Sequence, residues 1–377
     1  MSYVSFEPSV KTLMGPGPSD MNPRVLQAMS RPILGHLDPD FVRLMDDIKA
    51  LLRLTFKTNN PLTFPVSAPG SAGMETCFVN LIEPGDDVLV CINGVFGNRM
   101  KENVERSGGT PIVINDDWGQ PVSLDKVEKA LKDNPKIKIV AFVHAETSTG
   151  VCSDAAAIAS LARSHGAMTI MDCVTSLGGV PVLLDEWGID AAYSGSQKCL
   201  SCAPGLSPVS FSQRAVEAIQ NRKTKVQSWF LDLSLVMNYW TDGGQRSYHH
   251  TAPVNAMYGL HESLVVLHEE GLENSWKRHQ ATHEKLRDGL EALGFSYLVE
   301  QAYRLPQLNA VIIPEHLKTK EAEIRTRLLN EHSLEVGSGL GALSGEIWRI
   351  GLMGYGASQK NVDKCLGAIA DVIAKIG

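Results

Sequence analysis

The sequence lacks long apolar runs and clusters of positive charge. None of its 377 residues belongs to an apolar stretch approaching the roughly 20 residues that a membrane-spanning helix needs. The net charge of −7, from 35 basic and 42 acidic residues, argues against a nucleic-acid partner. The stretch from Met1 to Thr12 also lacks the pattern of a signal peptide. We therefore expect a globular cytoplasmic protein that binds neither membrane nor nucleic acid.

Cysteine is present, but its arrangement argues against two common uses. The count of seven is odd, and the positions are scattered, which does not suggest a disulfide framework. Cys199 and Cys202 have CxxC spacing, but no second pair of ligands follows, so the spacing does not predict a metal site. Most of the cysteines have apolar neighbours, as buried thiols do, and they indicate a reducing compartment.

Short apolar segments alternate with amphipathic ones along most of the chain. Residues 88–92, 139–143 and 167–171 predict buried strands, and residues 155–164 predict a helix between the last two. Such alternation is typical of an α/β fold in which helices flank a mostly parallel sheet.

The C-terminal part predicts a smaller α/β unit. Residues 254–287 have the apolar spacing of one long helix, which we expect to join the two units, and residues 308–313 and 347–350 predict strands. We therefore divide the chain into an N-terminal segment, a large domain and a small C-terminal domain, at residues 1–20, 21–255 and 256–377.

Two side chains near the ends of predicted strands give the first indication of chemistry. Lys198 closes a stretch of small and polar residues, and Asp172 directly follows the strand at 167–171. Ligands of open parallel sheets bind at the carboxyl ends of strands. Pyridoxal phosphate (PLP) requires an amine that forms an imine and an acid that keeps its pyridine nitrogen protonated. Taken singly, Lys198 could be a solvated surface lysine and Asp172 a loop cap.

A loop of small residues at 67–75 precedes these elements and leads into an apolar helix. Its glycines let backbone N–H groups approach a ligand, and a helix N-terminus favours an anion, so the loop is a candidate phosphate site. It is neither a Walker loop nor a GxGxxG motif, and similar turns are common without a ligand.

Further motifs, taken in their order along the chain, are specific to one family. The chain resembles the alanine–glyoxylate/serine–pyruvate aminotransferases, within the class V aminotransferases of PLP fold type I. The resemblance runs from residue 13 almost to the end. Its motifs are LMGPGPS at 13–19, EPGD at 83–86, NGVFG at 93–97, HAETSTG at 144–150, DCVTSLGG at 172–179, YSGSQK at 193–198, YHHT at 248–251 and RIG at 349–351.

The resemblance implies a role for each candidate residue. Lys198 would form the internal aldimine with PLP and move the reacting proton, and Asp172 would pair with the pyridine nitrogen. Arg349 would bind the substrate carboxylate, and Gly17 would line the substrate pocket. The other cofactor contacts from the same subunit would be Phe96, Val174 and Thr147 around the ring, and Gly70, Ser71 and Gln197 at the phosphate.

The implied assembly is a homodimer with shared active sites. Tyr248 and Thr251, which follow a turn-like Asp-Gly-Gly at 242–244, would reach the PLP phosphate of the neighbouring subunit. The N-terminal segment would lie at the dimer's active site. Many members of the family carry a hydroxyl residue where this chain has Pro69, which leaves more of the phosphate binding to Gly70 and Ser71.

The implied reaction is transfer of the amino group of alanine or serine to glyoxylate or pyruvate in two half-reactions. An alternative is a PLP-dependent lyase of the cysteine-desulfurase type, but such a lyase needs a mobile cysteine, and residues 333–348 contain none. Another alternative is a different donor, such as a kynurenine-type amino acid. A non-catalytic subunit is disfavoured by the presence of Lys198, Asp172 and Arg349 together.

Overall fold

The computed structural model of the protein describes residues 3–241 and 246–376. The turn predicted at 242–244 lies outside the described residues. The strands are β1 Thr12–Met14, β2 Leu62–Val66, β3 Asp87–Ile92, β4 Thr110–Asn115, β5 Ile137–Val143, β6 Ala145–Glu146, β7 Val151–Cys152, β8 Met168–Asp172, β9 Ala191–Tyr193, β10 Ser207–Phe211, β11 Ser296–Tyr297, β12 Leu308–Ile312, β13 Leu334–Ser338 and β14 Ile347–Gly351.

Helices cover the sheets and connect their strands. They are α1 Pro23–Met29, α2 Pro39–Phe56, α3 Gly70–Leu81, α4 Val95–Arg106, α5 Leu124–Asp133, α6 Ala155–Ser164, α7 Leu184–Trp187, α8 Gln213–Gln220, α9 Leu233–Val236, α10 Val254–Glu270, α11 Leu272–Ala292, α12 Glu315–Lys318, α13 Glu321–His332 and α14 Gln359–Ile376. Short 3₁₀ turns lie at Gln301–Tyr303, Gly341–Leu343 and Gly354–Gly356. In the described part of the chain, no helix is both long and apolar enough to cross a bilayer.

The larger sheet has the strand order β2-β10-β9-β8-β5-β3-β4. The pairs β3/β4, β3/β5, β5/β8 and β8/β9 are parallel, whereas β10 is antiparallel to both of its neighbours. The central parallel strands are apolar and buried on both faces, as helices on each side of a sheet require. The predicted α/β fold with a mostly parallel sheet is confirmed.

The register of the sheet sets the place of the site. Val143, Asp172 and Tyr193 are direct neighbours across β5, β8 and β9, at the carboxyl ends of these strands. Because the strands are parallel, the segments that follow them leave the sheet at the same edge. The segment from the end of β9 to Lys198 and the motif that begins at His144, after β5, therefore meet at this edge.

The smaller sheet has the order β1-β13-β14-β12-β11. β13, β14, β12 and β11 pair antiparallel, and β1, from the N-terminal segment, adds a parallel edge next to β13. A separate cluster of buried side chains, which includes Leu286, Ile324, Trp348 and Ile369, packs this sheet against its helices. The division at 20/21 and 255/256 stays a prediction.

The single helix predicted over 254–287 is wrong. The structure has two helices, α10 and α11, separated at Gly271, where φ is +87°. Glycine adopts this backbone region without the steric cost that other residues have. The apolar spacing continues on both sides of the break, so it could not reveal the break by itself.

Candidate active site

A cavity of about 190 Å³ opens at the carboxyl edge of the larger sheet. It brings together eight of the predicted site residues, although they come from separate motifs. They are Gly70, Ser71, Phe96, Thr147, Asp172, Val174, Gln197 and Lys198.

Lys198 presents an amine to this cavity from a largely buried stem. Burial is the main cause that lowers the pKa of the Lys198 amine to about 8; the charge of Arg349 acts in the same direction, and those of Cys199 and Asp172 act in the opposite one. A lysine with a lowered pKa has a larger neutral fraction near neutral pH, which is the form that attacks a carbonyl carbon. The amine donates a hydrogen bond to the carbonyl of Pro16.

The N-terminal segment lies directly against this lysine. The Ser19 hydroxyl donates to the carbonyl oxygen of Lys198 at 2.7 Å, and the Ser19 N–H donates to that of Gln197 at 2.9 Å. Gly17 has φ +107°, and a Cβ atom placed there would lie 2.5 Å from the Lys198 Nζ. The predicted Gly17 therefore lies beside the amine, in a conformation and a space that favour glycine.

Asp172 is the buried acid of the cavity, with 3% of its surface exposed. Burial raises the pKa of its carboxyl to about 7, and the hydrogen bond from the Val174 N–H, at 2.8 Å, acts in the opposite direction. The charge of Lys198 lowers this pKa less than burial raises it, so a cation placed directly against the carboxylate would stabilise it further.

The N-terminus of α3 forms one wall of the cavity. Pro69 occupies the N-cap position and supplies no side-chain hydrogen bond to the first turn. The amides of Gly70 and Ser71 lie at the start of the helix, where the backbone dipole favours an anion. This is the arrangement expected for a phosphate held mainly by backbone amides and the Ser71 hydroxyl.

Apolar and hydroxyl side chains flank the cavity. Phe96 and Val174 are half-buried at its wall, and the Arg99 guanidinium lies 4.7 Å from the centre of the Phe96 ring. The Thr147 hydroxyl is buried and shares a hydrogen bond of 2.7 Å with the Thr175 hydroxyl. A flat aromatic ligand therefore finds an aromatic face, an aliphatic side chain and a hydroxyl here.

Arg349 lies next to the cavity on β14, with 7% of its surface exposed. Its Nε donates to the carbonyl of Ser338 at 2.8 Å, and one terminal nitrogen donates to the carbonyl of Thr147 at 3.5 Å. Within the described residues it forms no ion pair with a carboxylate. Burial lowers the Arg349 pKa, which an anionic ligand would offset.

Tyr248 and Thr251 are the predicted site residues that the structure does not bring to this cavity. Both are exposed, Tyr248 to 59%, and their hydroxyl oxygens lie 3.4 Å apart. Tyr248 contacts the ring of His36 at a centroid distance of 5.0 Å.

Three polar or charged residues at the site received no role from the sequence. Tyr193 and Arg99 line the cavity, and Glu146 is fully buried beside it. Each lies in or next to a quoted family motif, but its contacts depend on partners distant in the chain. Glu146 could have been noticed as an acid shortly after the apolar strand at 139–143, much as Asp172 follows the strand at 167–171.

The cavity also contains polar atoms that a ligand would satisfy. Among the described residues, the Gln197 side-chain oxygen is buried without a hydrogen-bond partner, and the buried Tyr193 hydroxyl has the Asp172 carboxyl as its neighbour. Buried polar groups are normally paired, by protein, water or ligand. Together with the amine, the acid and the helix N-terminus, these atoms fit a polar cofactor such as PLP.

A lysine and an acid at the strand ends of a mostly parallel sheet, with an arginine on the adjacent small sheet, are features of an aminotransferase site. The chain belongs to the class V aminotransferase family, because the family model described as "Aminotransferase class-V" matches residues 18–363. The resemblance found in the sequence is confirmed, and so is the prediction of an aminotransferase. Members of this family depend on PLP.

Characterised relatives cover nearly the whole chain. Alanine–glyoxylate aminotransferase of Oryctolagus cuniculus is 38% identical over 365 residues, which is 96% of this chain and 92% of the relative. (S)-Ureidoglycine–glyoxylate transaminase of Bacillus subtilis is 35% identical over 384 residues, with 97% of this chain and 91% of the relative covered.

Solved structures agree in fold. The alanine–glyoxylate aminotransferase from Nostoc sp. superimposes with a TM-score of 0.96 at 47% identity, covering 99% of this chain and 98% of that one. A cysteine desulfurase from Thermococcus onnurineus superimposes with a TM-score of 0.75 at 14% identity, covering 97% and 95%, which shows a common fold only. The predicted PLP fold type I is confirmed.

Proposed function

We propose that this chain binds PLP through Lys198 and transfers the amino group of alanine or serine to glyoxylate or pyruvate. The observation that carries the proposal is one cavity in which the amine of Lys198, the acid of Asp172 and the open N-terminus of α3 meet. The names of the relatives, which specify glyoxylate as acceptor and alanine as one donor, support this substrate class.

Lys198 would act first as the attachment point and then as a proton carrier. Its lowered pKa favours the neutral amine that attachment requires. Once released by substrate, the same amine stays within reach of the reacting carbon, because its stem is buried and residues 16–19 lie against it. It can then take a proton from the substrate α-carbon and deliver it to the cofactor carbon that carries the amino group.

Asp172 would hold a proton on the pyridine nitrogen of the cofactor. PLP, when bound, supplies a ring that accepts the electrons left on the substrate α-carbon after deprotonation. The Val174 N–H binds one oxygen of the Asp172 carboxyl at 2.8 Å and so orients the group, which would face that nitrogen. The positive charge on that nitrogen would favour the Asp172 carboxylate and so lower its pKa, against the effect of burial.

The remaining side chains would orient the cofactor. Phe96 and Val174 would lie on opposite faces of the ring, and Thr147 near its hydroxyl. The α3 amides, the Ser71 hydroxyl and Gln197 would bind the phosphate. Because Pro69 has no hydroxyl, binding of the phosphate would depend more strongly on Gly70 and Ser71.

Arg349 would bind the carboxylate that amino acid and oxo acid share. The guanidinium fork matches a carboxylate, and its position next to Thr147 directs it towards the cavity. Gly17 places no side chain beside the Lys198 amine, which suits substrates as small as alanine and serine.

The proposed assembly is a homodimer in which Tyr248 and Thr251 reach the phosphate of the partner's site. Their exposure supports this arrangement, because it leaves both side chains accessible to a second subunit. Trp229 is also exposed, to 64%, and its ring stacks on His249 at 4.6 Å. Exposed aromatic clusters of this kind are typical of protein–protein interfaces.

Two alternatives remain as proposals with less support. A desulfurase-type lyase needs an exposed, mobile cysteine near the substrate, but residues 333–348 contain none, and Cys199 is buried with its thiol directed to the Thr175 carbonyl. A kynurenine-type donor has less support because the names of the relatives specify alanine and ureidoglycine as donors. A cytoplasmic location is supported by the seven free thiols, of which six are buried.

The test is a half-reaction screen. PLP-loaded protein is mixed with single amino acids in the absence of any oxo acid, and the visible absorbance of the lysine-bound cofactor is followed. Alanine or serine should bleach it, and glyoxylate or pyruvate should restore it. Bleaching by a kynurenine-type amino acid but by neither alanine nor serine would contradict the proposed donor, and release of sulfide from cysteine would favour the lyase.

A further inference from the structure

Glu146 is a fully buried carboxylate that the proposed reaction does not use. It ends β6 and lies between the cavity and the start of α4. One carboxylate oxygen accepts hydrogen bonds from the Ser148 N–H at 3.0 Å and the Ser148 hydroxyl at 2.6 Å. The other accepts from the Phe96 N–H at 3.2 Å, and the Gly97 amide also bonds to the carboxylate.

These contacts cap α4 from outside the helix. The N-cap residue, Gly94, supplies no side chain for capping, although the first amides of any helix lack intrahelical partners. Here the Val95 N–H donates to the Ser148 hydroxyl at 3.0 Å, and the next two amides bind Glu146. A negative charge at this end of a helix is also favoured by the backbone dipole.

The close approach of the two segments requires glycine at position 94. A Cβ atom there would lie 2.4 Å from the Glu146 carboxyl carbon and 2.5 Å from the Ser148 hydroxyl. Glu146 therefore has little freedom to move, and neither does the first turn of α4.

This first turn carries Phe96, whose ring lines the cofactor cavity. On the other side, Thr147 directly follows Glu146 and places its hydroxyl in the cavity and its carbonyl next to Arg349. The contacts of Glu146 thus connect the first turn of α4, which carries Phe96, with the segment after β6, which carries Thr147.

We propose that Glu146 is a positioning residue of this site, whose buried carboxylate fixes the first turn of α4 and thereby the Phe96 ring against the cofactor. The inference rests on the proposed function, because that function assigns the stacking role to Phe96. Burial raises the Glu146 pKa, whereas the hydrogen bonds from Ser148, Phe96 and Gly97 lower it and so favour the carboxylate. A glutamine at this place would direct its NH₂ group at one of these donors.

The experiment compares wild type with Glu146→Gln in three measurements. The cofactor-free variant should bind PLP about tenfold more weakly, as expected when a charged acceptor of buried hydrogen bonds is lost. The visible circular dichroism per bound cofactor, which reports how the ring is held, should decrease. Turnover should fall while the KM for the amino acid stays at its wild-type value, because Glu146 does not contact substrate.

Asp190→Asn is the matched control. Asp190 is a buried carboxylate of the same large sheet, 3% exposed, and accepts from the Thr169 N–H at 3.0 Å and the Ser212 hydroxyl at 3.1 Å. It lies near the opposite end of β8 from Asp172. Its loss should lower thermal stability but leave the circular dichroism of the cofactor and the affinity for PLP unchanged.

A double-mutant cycle with Phe96→Leu tests the route of the effect. If Glu146 acts through Phe96, the effect of Glu146→Gln on PLP affinity should shrink in the Phe96→Leu background. If Glu146→Gln does not fold, Glu146→Asp replaces it, because the shorter side chain keeps the charge but cannot reach both Ser148 and Phe96. Additive effects, or wild-type dichroism and affinity in the Glu146 variant, overturn the inference. A wild-type protein that forms no lysine-bound cofactor band overturns the proposed function instead.

Discussion

Replacing Asp172 by asparagine should stabilise the protein without cofactor while it damages catalysis. Burial raises the Asp172 pKa from its ordinary value of 3.8 to about 7 in the cavity. This difference corresponds to about 4 kcal/mol of unfolding free energy. Because the folded-state pKa is the higher one, the contribution of Asp172 to stability is fully present below pH 3.8 and is lost as the pH rises through about 7.

Asp172→Asn removes the ionisation and keeps an oxygen that can accept the Val174 N–H. Cofactor-free Asp172→Asn should therefore be more stable than the cofactor-free wild type by up to about 4 kcal/mol at about pH 8.5, and by less than about 2 kcal/mol at about pH 5. Urea unfolding of both proteins, freed of PLP, measures this difference. With PLP bound, turnover of the variant should fall about a hundredfold or more.

Two outcomes would refute this reasoning. A cofactor-free Asp172→Asn protein that is no more stable than wild type at about pH 8.5 would mean that the buried carboxylate has a stabilising partner in the cofactor-free protein. Normal turnover would mean that another acid keeps the ring nitrogen protonated.

Arg349, Gly17 and the pair Tyr248/Thr251 give three further predictions. Arg349→Lys should raise the KM for amino acid and oxo acid together, by about tenfold or more, because both lose the same guanidinium fork. Gly17→Ala should lower turnover and stability, the latter by about 1–3 kcal/mol, because its backbone is strained for alanine and its methyl group meets the Lys198 amine. Mixing Lys198→Ala subunits with Tyr248→Phe/Thr251→Ala subunits should restore activity, because one of the two sites in the mixed dimer then carries no lesion.

Each of these predictions has a control or a contrary outcome. If Arg349→Lys weakened only one of the two substrates, Arg349 would recognise something other than the common carboxylate. Gly85→Ala is the control for Gly17, since Gly85 has φ +87° but a Cβ atom there would meet nothing within 4 Å, so turnover should survive. Absence of restored activity despite proven subunit exchange would place Tyr248 and Thr251 in their own subunit's site.

Elements with a strong local signal could be predicted from the sequence. The strand around 88–92 is observed as Asp87–Ile92, and the helix at 155–164 as Ala155–Ser164, where the Asp154 side chain caps the Ala157 N–H. Both are specified by residues close in sequence: the strand by its run of apolar side chains, and the helix by its N-terminal cap. The position of Asp172 at a strand end was predictable for the same reason.

Features that depend on distant partners were not predictable. The three-residue strand β1 has too few residues for a periodic pattern and is defined by its pairing with β13, near the other end of the chain. The role of Glu146 as an external cap depends on the Phe96 N–H, 50 residues away in sequence. The break at Gly271 went unrecognised because a single glycine within an apolar helical pattern does not specify a break.

The attachment of the cofactor to Lys198 is the central claim, and borohydride reduction tests it most directly. The PLP-loaded protein is reduced, digested, and searched by mass spectrometry for the cofactor adduct. We predict the adduct on the peptide that contains Lys198 and on no other, and its loss in Lys198→Ala, in which PLP still binds without a covalent bond. An adduct on a different lysine of the wild-type protein would contradict the account.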